Sequence, residues 1–189
     1  MIKSLEGFKG MESMGLKIKN ILITGAPGIG KTTLIKKLYE ELRDFHPVGF
    51  YTAEIREKGI RKGFELISLD GKRGLLSHAD IKSSFKVGRY SVDIDGFEGF
   101  LDSIKLEHAS GIVIIDEIGK MECLSQRFRT LIRGILNSQR LVIATIALKG
   151  SGIIVEIKRR DDIRLFEMTK SNREPLLSGI LKDVKRLLW

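Results

Sequence analysis

The residues Gly25-Ala26-Pro27-Gly28-Ile29-Gly30-Lys31-Thr32 fill every required position of the pattern G-x-x-x-x-G-K-[ST]. Glycines at this spacing let successive backbone N–H groups turn inward with no Cβ in the way. The loop then forms a nest for an anion at the positive end of the helix that follows. Phosphate is the anion that fits, so the stretch from Gly25 to Thr32, with Thr33 after it, is the candidate nucleotide-binding loop. In this chemistry Lys31 bridges the β- and γ-phosphates as a point charge, and the Thr32 hydroxyl ligates Mg2+.

A second signal is the apolar run Ile112-Val113-Ile114-Ile115, which ends in two acids, Asp116 and Glu117. Joined to a phosphate loop, Asp116 is the candidate to hold the Mg2+ shell across from Thr32. Glu117, one residue on, is the candidate base that polarises a water attacking the γ-phosphorus. Asp116-Glu117-Ile118-Gly119 also spells the D-x-x-G of GTPases, but no N-K-x-D follows to read guanine, which disfavours a GTP-specific switch. Thr145 ends the next apolar stretch and has two readings: a contact to the γ-phosphate or its water, or a plain strand-end threonine.

These groups need a scaffold. An apolar run at 21–23, the glycine loop, and Ile35, Leu38 and Leu42 on one face predict strand, loop and helix, with the helix stopping near Asp44 ahead of Pro47. From 48 to 76 the period is closer to two, broken by Gly59 and the Asp70-Gly71 hairpin signal, which predicts an antiparallel meander. A strand over 89–94 leads to a helix bearing Phe97, Phe100, Leu101 and Ile104, with Asp95 and Glu98 as its capping pair. Strands over 112–115, 141–145 and 163–168 then alternate with a helix carrying Phe128, Leu131, Ile132 and Ile135, a short helix over 153–159, and a terminal amphipathic helix from Leu177 to Leu188. The expected fold is α/β: three layers around a parallel sheet, extended by an antiparallel β insert between 48 and 94. Residues 1–15, with Met1, Met11 and Met14, read as a flexible arm before a single domain over 16–189.

The resemblance extends beyond the phosphate loop. The blocks Val48-Gly49-Phe50-Tyr51-Thr52-Ala53-Glu54-Ile55-Arg56, Gly63-Phe64, Val87-Gly88-Arg89-Tyr90-Ser91-Val92, Ile115-Asp116-Glu117-Ile118-Gly119-Lys120-Met121-Glu122 and Asn172-Arg173 follow in family order. From Asn20 to the C-terminus the chain resembles the thermophilic nucleoside-triphosphate phosphatases, a family that includes the cancer-related nucleoside triphosphatase. The resemblance implies a P-loop NTPase core of RecA-like type with an additional-strand catalytic Glu. It also implies slow Mg2+-dependent hydrolysis of ATP, GTP, CTP, UTP and TTP to the diphosphate, with little base preference. The stretch 147–152 departs from the family pattern, in which a proline is common.

Hydrolysis usually needs a cation beyond Lys31 and Mg2+. Arg56 and Arg89, both in family-like blocks, and Lys120, three residues after the acids, are the candidates, and each has the plainer reading of a solvated charge. Asn172 and Arg173 are candidate base contacts, or else belong to a helix start in which Ser171 and Glu174 form a capping box. Two rival functions stand beside hydrolysis: a small nucleoside or nucleotide kinase, and a non-enzymatic nucleotide-gated or nucleic-acid-binding module. Glu117 directly after Asp116 argues for water as the acceptor.

Length and composition bound these readings. A chain of 189 residues, 42% hydrophobic and 30% charged, suits one globular domain with a proper core. The longest apolar stretch, 141–148, falls far short of the ~20 residues of a membrane helix, and residues 1–20 lack the apolar centre of a secretory signal. A cytoplasmic protein without a membrane partner is expected. The single cysteine, Cys123, leaves no internal disulfide, and His46, His78 and His108 stand at no metal-ligand spacing. The net charge of +9 comes from basic residues interspersed with acids, as where Lys158-Arg159-Arg160 runs into Asp161-Asp162. That pattern reads first as a solvated surface and second as attraction for nucleotides; nucleic acid is not favoured. Scarce Asn, Gln and Cys beside abundant Lys, Arg and Glu lean toward a heat-adapted source.

Overall fold

The computed structural model describes residues 18–108 and 111–188, so the arm expected over 1–15 lies outside the described residues. In chain order the elements are β1 (Asn20–Gly25), α1 (Lys31–Leu42), β2 (Val48–Glu57), β3 (Ile60–Ser68), β4 (Arg73–His78), β5 (Lys86–Val87), β6 (Tyr90–Val92), α2 (Ile94–Ile104), β7 (Ile112–Ile118), α3 (Gln126–Asn137), β8 (Leu141–Ile146), α4 (Ile153–Lys158), β9 (Ile163–Met168) and α5 (Arg173–Leu188). The nine strands form one mixed sheet in the order β5-β6-β4-β3-β2-β7-β8-β1-β9. From β2 to β9 the pairings are parallel. From β2 outward to β5 they are antiparallel.

Strand alternation divides the core between two faces. Leu22, Val113, Ile115, Val142 and Ala144 pack with α2, α3 and α4 on one side. Their strand neighbours Ile21, Ile23, Ile112, Ile114 and Ile143 pack with α1 and α5 on the other. Successive residues of a strand face opposite ways, so near-continuous apolar strands are what a sheet covered on both faces requires. Each fully buried Ile, Leu or Phe contributes roughly 1.5–3 kcal/mol. The first face is thickened by aromatic rings: Phe50 meets Phe97, Phe100 and Phe128 edge-on, with centroids 5.8–6.5 Å apart.

Gly49 explains why β2 can lie against β7. A Cβ at this position would come within 1.7 Å of the Ile114 carbonyl oxygen, so any side chain there would push the two strands apart. The pairing that follows sets Tyr51 level with Asp116 and lets the rest of β2 run on past the acids.

Local structure departs from expectation in three places. The strand expected over 89–94 is shorter, because Asp93 caps α2: its Oδ1 accepts from the Gly96 N–H at 3.0 Å, and Ile94 already belongs to the helix. Asp95 and Glu98 therefore do not form the cap, and Glu98 instead accepts from the Ser125 hydroxyl at 2.6 Å, tying α2 to the start of α3. The strand expected to end at Ile115 continues to Ile118, with a register shift against β8 after Ile115. Before α5, Ser171 and Glu174 form no capping box; the Ser171 hydroxyl pairs with that of Thr169.

Candidate active site

The loop, the two acids and Thr145 converge at the C-terminal ends of three adjacent parallel strands, β7, β8 and β1. Side chains reach substrates there in open α/β sheets. Gly30 caps α1 with φ 109°, no side chain accepts from the first turn, and that turn carries no acid. The N–H groups at this end are thus left for an anion. Ala26, Pro27, Gly28 and Thr33 are exposed, and Ile29 and Gly30 are half-buried.

Lys31 is buried at the base of this loop. Its Nζ donates to the Gly25 and Ala26 carbonyls at 3.1 and 3.5 Å, and lies 3.6 Å from Glu117 Oε2. Behind it, Asp116 is 1% exposed and receives two hydroxyls. Thr32 Oγ1 donates to Oδ2 at 2.6 Å, and Thr145 Oγ1 donates to Oδ1. No lysine or arginine lies within ion-pair distance of Asp116 among the described residues. Thr145 thus has a definite partner: fully buried, it braces the acid from the neighbouring strand.

Burial pushes the Asp116 carboxyl above its usual range, and the Thr145 and Thr32 hydroxyls and Lys31 oppose that push. Burial also raises Glu117, helped by the charge of Asp116 and opposed by Lys31. A carboxylate moved up toward neutrality is a better proton acceptor at working pH. The Asp116–Glu117 peptide is cis.

The other candidates take no part in these contacts. Arg56 stands five residues past Tyr51 on β2, about 16 Å further along the strand. There it contacts Glu54 and donates to the Gly59 carbonyl. Arg89 donates to the Arg61 carbonyl and the Tyr90 hydroxyl. Lys120 is exposed and has no side-chain partner among the described residues. The Asn172 amide is spent within the turn, accepting from the Thr169 N–H and donating to the Glu167 carbonyl, each at 2.8 Å. Arg173, at the first position of α5, is exposed.

Two residues escaped the sequence reading. Glu122 is 5% exposed, and burial, with the charges of Glu117 and Asp116, pushes its carboxyl up to about 8. A Cβ on Gly119 would stand 2.6 Å from Glu122 Oε2 and 3.0 Å from Glu117 Oε1, so the glycine lets both carboxyl groups approach one point. The other is Lys158, hidden in the run Lys158-Arg159-Arg160. Its position four residues after Ile154, which is buried, was the available signal, since i and i+4 share a helix face.

A family model described as NTPase matches residues 20–181. The chain belongs to the NTPase family. Within it, the nucleoside-triphosphatase THEP1 of Thermotoga sp. (strain RQ2) is 44% identical over 167 residues, covering 87% of this chain and 95% of that one. Among solved structures, the crystal structure of THEP1 from the hyperthermophile Aquifex aeolicus superposes with a TM-score of 0.79 at 39% identity, covering 86% of this chain and 97% of that one. The solution structure of a human cancer-related nucleoside triphosphatase gives 0.78 at 38% identity, covering 89% and 98%. The NTPase family is the one that the sequence blocks resemble. No helix among the described residues is long and apolar enough to cross a membrane.

Proposed function

We propose that this chain is a Mg2+-dependent nucleoside-triphosphate phosphatase with a RecA-like core, in which β8 is the additional strand and Glu117 the catalytic base. One observation carries the reading: a buried carboxylate held by two hydroxyls, Thr32 from the loop and Thr145 from β8, stands next to a lysine paired with a second, more exposed carboxylate. Asp116 fits a hard cation because it is buried without an ion-pair partner among the described residues and its side-chain hydrogen-bond partners there are hydroxyls. Thr32 and Asp116 would hold the ion, which when bound supplies positive charge to the phosphate oxygens.

The chain's own residues do the rest. The loop amides and Lys31 bind and orient the phosphates. Glu117 accepts a proton from water as the water oxygen bonds to the γ-phosphorus. The bond from that phosphorus to the β–γ bridging oxygen breaks, and its electron pair leaves with the nucleoside diphosphate. Arg173 is the remaining candidate base contact, and a stacked guanidinium accepts any base.

The names of the relatives support triphosphate hydrolysis. The decisive experiment measures phosphate release from ATP, GTP, CTP, UTP and TTP with Mg2+, with and without an added nucleoside or RNA. The expected result is release from all five at rates within about a hundredfold, independent of the additions. Release that requires the nucleoside would indicate a kinase, and tight binding without turnover would indicate a nucleotide-gated module.

A further inference from the structure

Lys31 is the one cation so far assigned to the phosphates, and the arginines first considered have partners on β2, the β2–β3 turn, β3 and β6. Lys158, the last residue of α4, is differently situated. Its Nζ donates to the Ala147 carbonyl at 2.7 Å and to the Leu148 carbonyl at 2.9 Å, immediately past the end of β8. The Ala147 N–H in turn donates to the Ile118 carbonyl at 3.2 Å, and Ile118 follows Glu117 in β7. The ammonium thus stands at the same strand ends as Thr145 and the two acids. The carboxylates whose field it feels are Glu117 and Glu167.

Its surroundings are unusual for a surface lysine. It is half-buried, and partial withdrawal from water holds its pKa below the ordinary lysine range. Among the described residues no carboxylate lies within ion-pair distance, and the two carbonyls use two of its three N–H donors. A partly desolvated ammonium without a counter-ion is unfavourable. An anion arriving beside Glu117 would relieve that condition, and the γ-phosphoryl group is the anion that the function proposed above brings there.

We propose that Lys158 is the second cation of the site, donating its remaining N–H to the γ-phosphoryl oxygens as charge builds on them during hydrolysis. The inference rests on the phosphatase reading and adds a residue to it. A lysine that only tethers α4 to the loop after β8 would affect stability, whereas one that meets developing charge affects the transition state selectively.

The test compares Lys158→Gln, which keeps a neutral donor for the two carbonyls, with Lys158→Arg, which keeps the charge. Five quantities are read: kcat and KM for ATP with Mg2+, affinity for a non-hydrolysable ATP analogue, affinity for ADP with Mg2+ and aluminium fluoride, and Tm. Lys158→Gln is expected to lower kcat by ~10²-fold and to weaken the aluminium fluoride complex similarly, with analogue affinity within about threefold of wild type. Tm should be unchanged, and Lys158→Arg should recover much of kcat. Lys158→Gln turnover within about threefold of wild type would overturn the proposal, as would parallel loss of Tm, analogue affinity and turnover. If the wild-type protein itself releases no phosphate, the phosphatase reading fails and this inference with it; if wild type is active and Lys158→Gln keeps pace, only the inference fails.

Discussion

Two glutamates on neighbouring strands mark two different regions of the molecule. Glu117, on β7, is paired with the buried Lys31, and burial raises its pKa. Glu54, on β2, lies between Arg56 and Arg61 near solvent, and the hydrogen bond from Arg61 is foremost among the effects that lower it. The side chains of Arg56 and Arg61 are 56% and 42% exposed, against 10% for Lys31. Exposed pairs of this kind are worth ~0–1 kcal/mol and are screened by salt, whereas a charge withdrawn from water acts strongly on what enters beside it. Solvent access, more than residue type, separates the charges suited to chemistry from those that trim a hairpin.

The sharpest way to break this contrast is Glu117→Gln. Turnover should fall ~10²-fold or more while affinity for a non-hydrolysable triphosphate is kept, measured by phosphate release and by titration. Unchanged turnover would put Glu117 in the same class as Glu54. Lys31→Ala should weaken analogue binding and hydrolysis together, because its charge acts on the ground state and the transition state alike. A loss confined to kcat would count against that role.

Glu122 sharpens the contrast through pH. Its folded pKa of about 8 lies above its ordinary value of 4.5, so the folded protein holds a proton that the unfolded chain releases. The stability this gives is complete below about 4.5 and is lost as pH rises through about 8, at up to ~1.4 kcal/mol per unit. Thermal melts of wild type and Glu122→Gln between pH 5 and 8 should therefore diverge, with the wild type losing Tm relative to the variant as pH rises. Parallel curves would mean that Glu122 is ionised in the fold. The smallest effect belongs to the hairpin region: Arg56→Lys and Arg89→Lys should leave turnover within about twofold and stability within ~1 kcal/mol. A large loss of phosphate release in either variant would return that arginine to the catalytic site.

What could be read from the sequence was what the chain decides locally. The loop from Gly25 to Thr32 was legible because its glycines, lysine and threonine act within one turn of each other, and the strand ahead of Asp116 because four branched apolar residues have few other uses. The helix 97–104 was found from its spacing, but its cap was misplaced by two residues. Asp93, Asp95 and Glu98 all suit a helix start, and only backbone geometry chooses among them. The partners of Arg89, Thr145 and Lys158 were not legible, since strand order and helix docking bring those contacts together across intervening elements. Asn172 shows the same limit at short range: its amide suits a ligand or a turn, and the turn takes it.

The position of β1 in the sheet also bears on how the protein is made. β1 leaves the ribosome well before either of its partners: Ile21 pairs with Ile143 on one side and with Arg164 on the other. At ~5–20 residues per second, synthesis runs for roughly 6–24 s between the appearance of β1 and that of β8. For that interval a strand of apolar residues has neither edge covered, and the phosphate loop attached to it has no sheet to stand on. Nascent chains stalled before β8 should accordingly be the ones that chaperones retain and that bind no nucleotide, while those stalled after β9 has emerged should be able to do so.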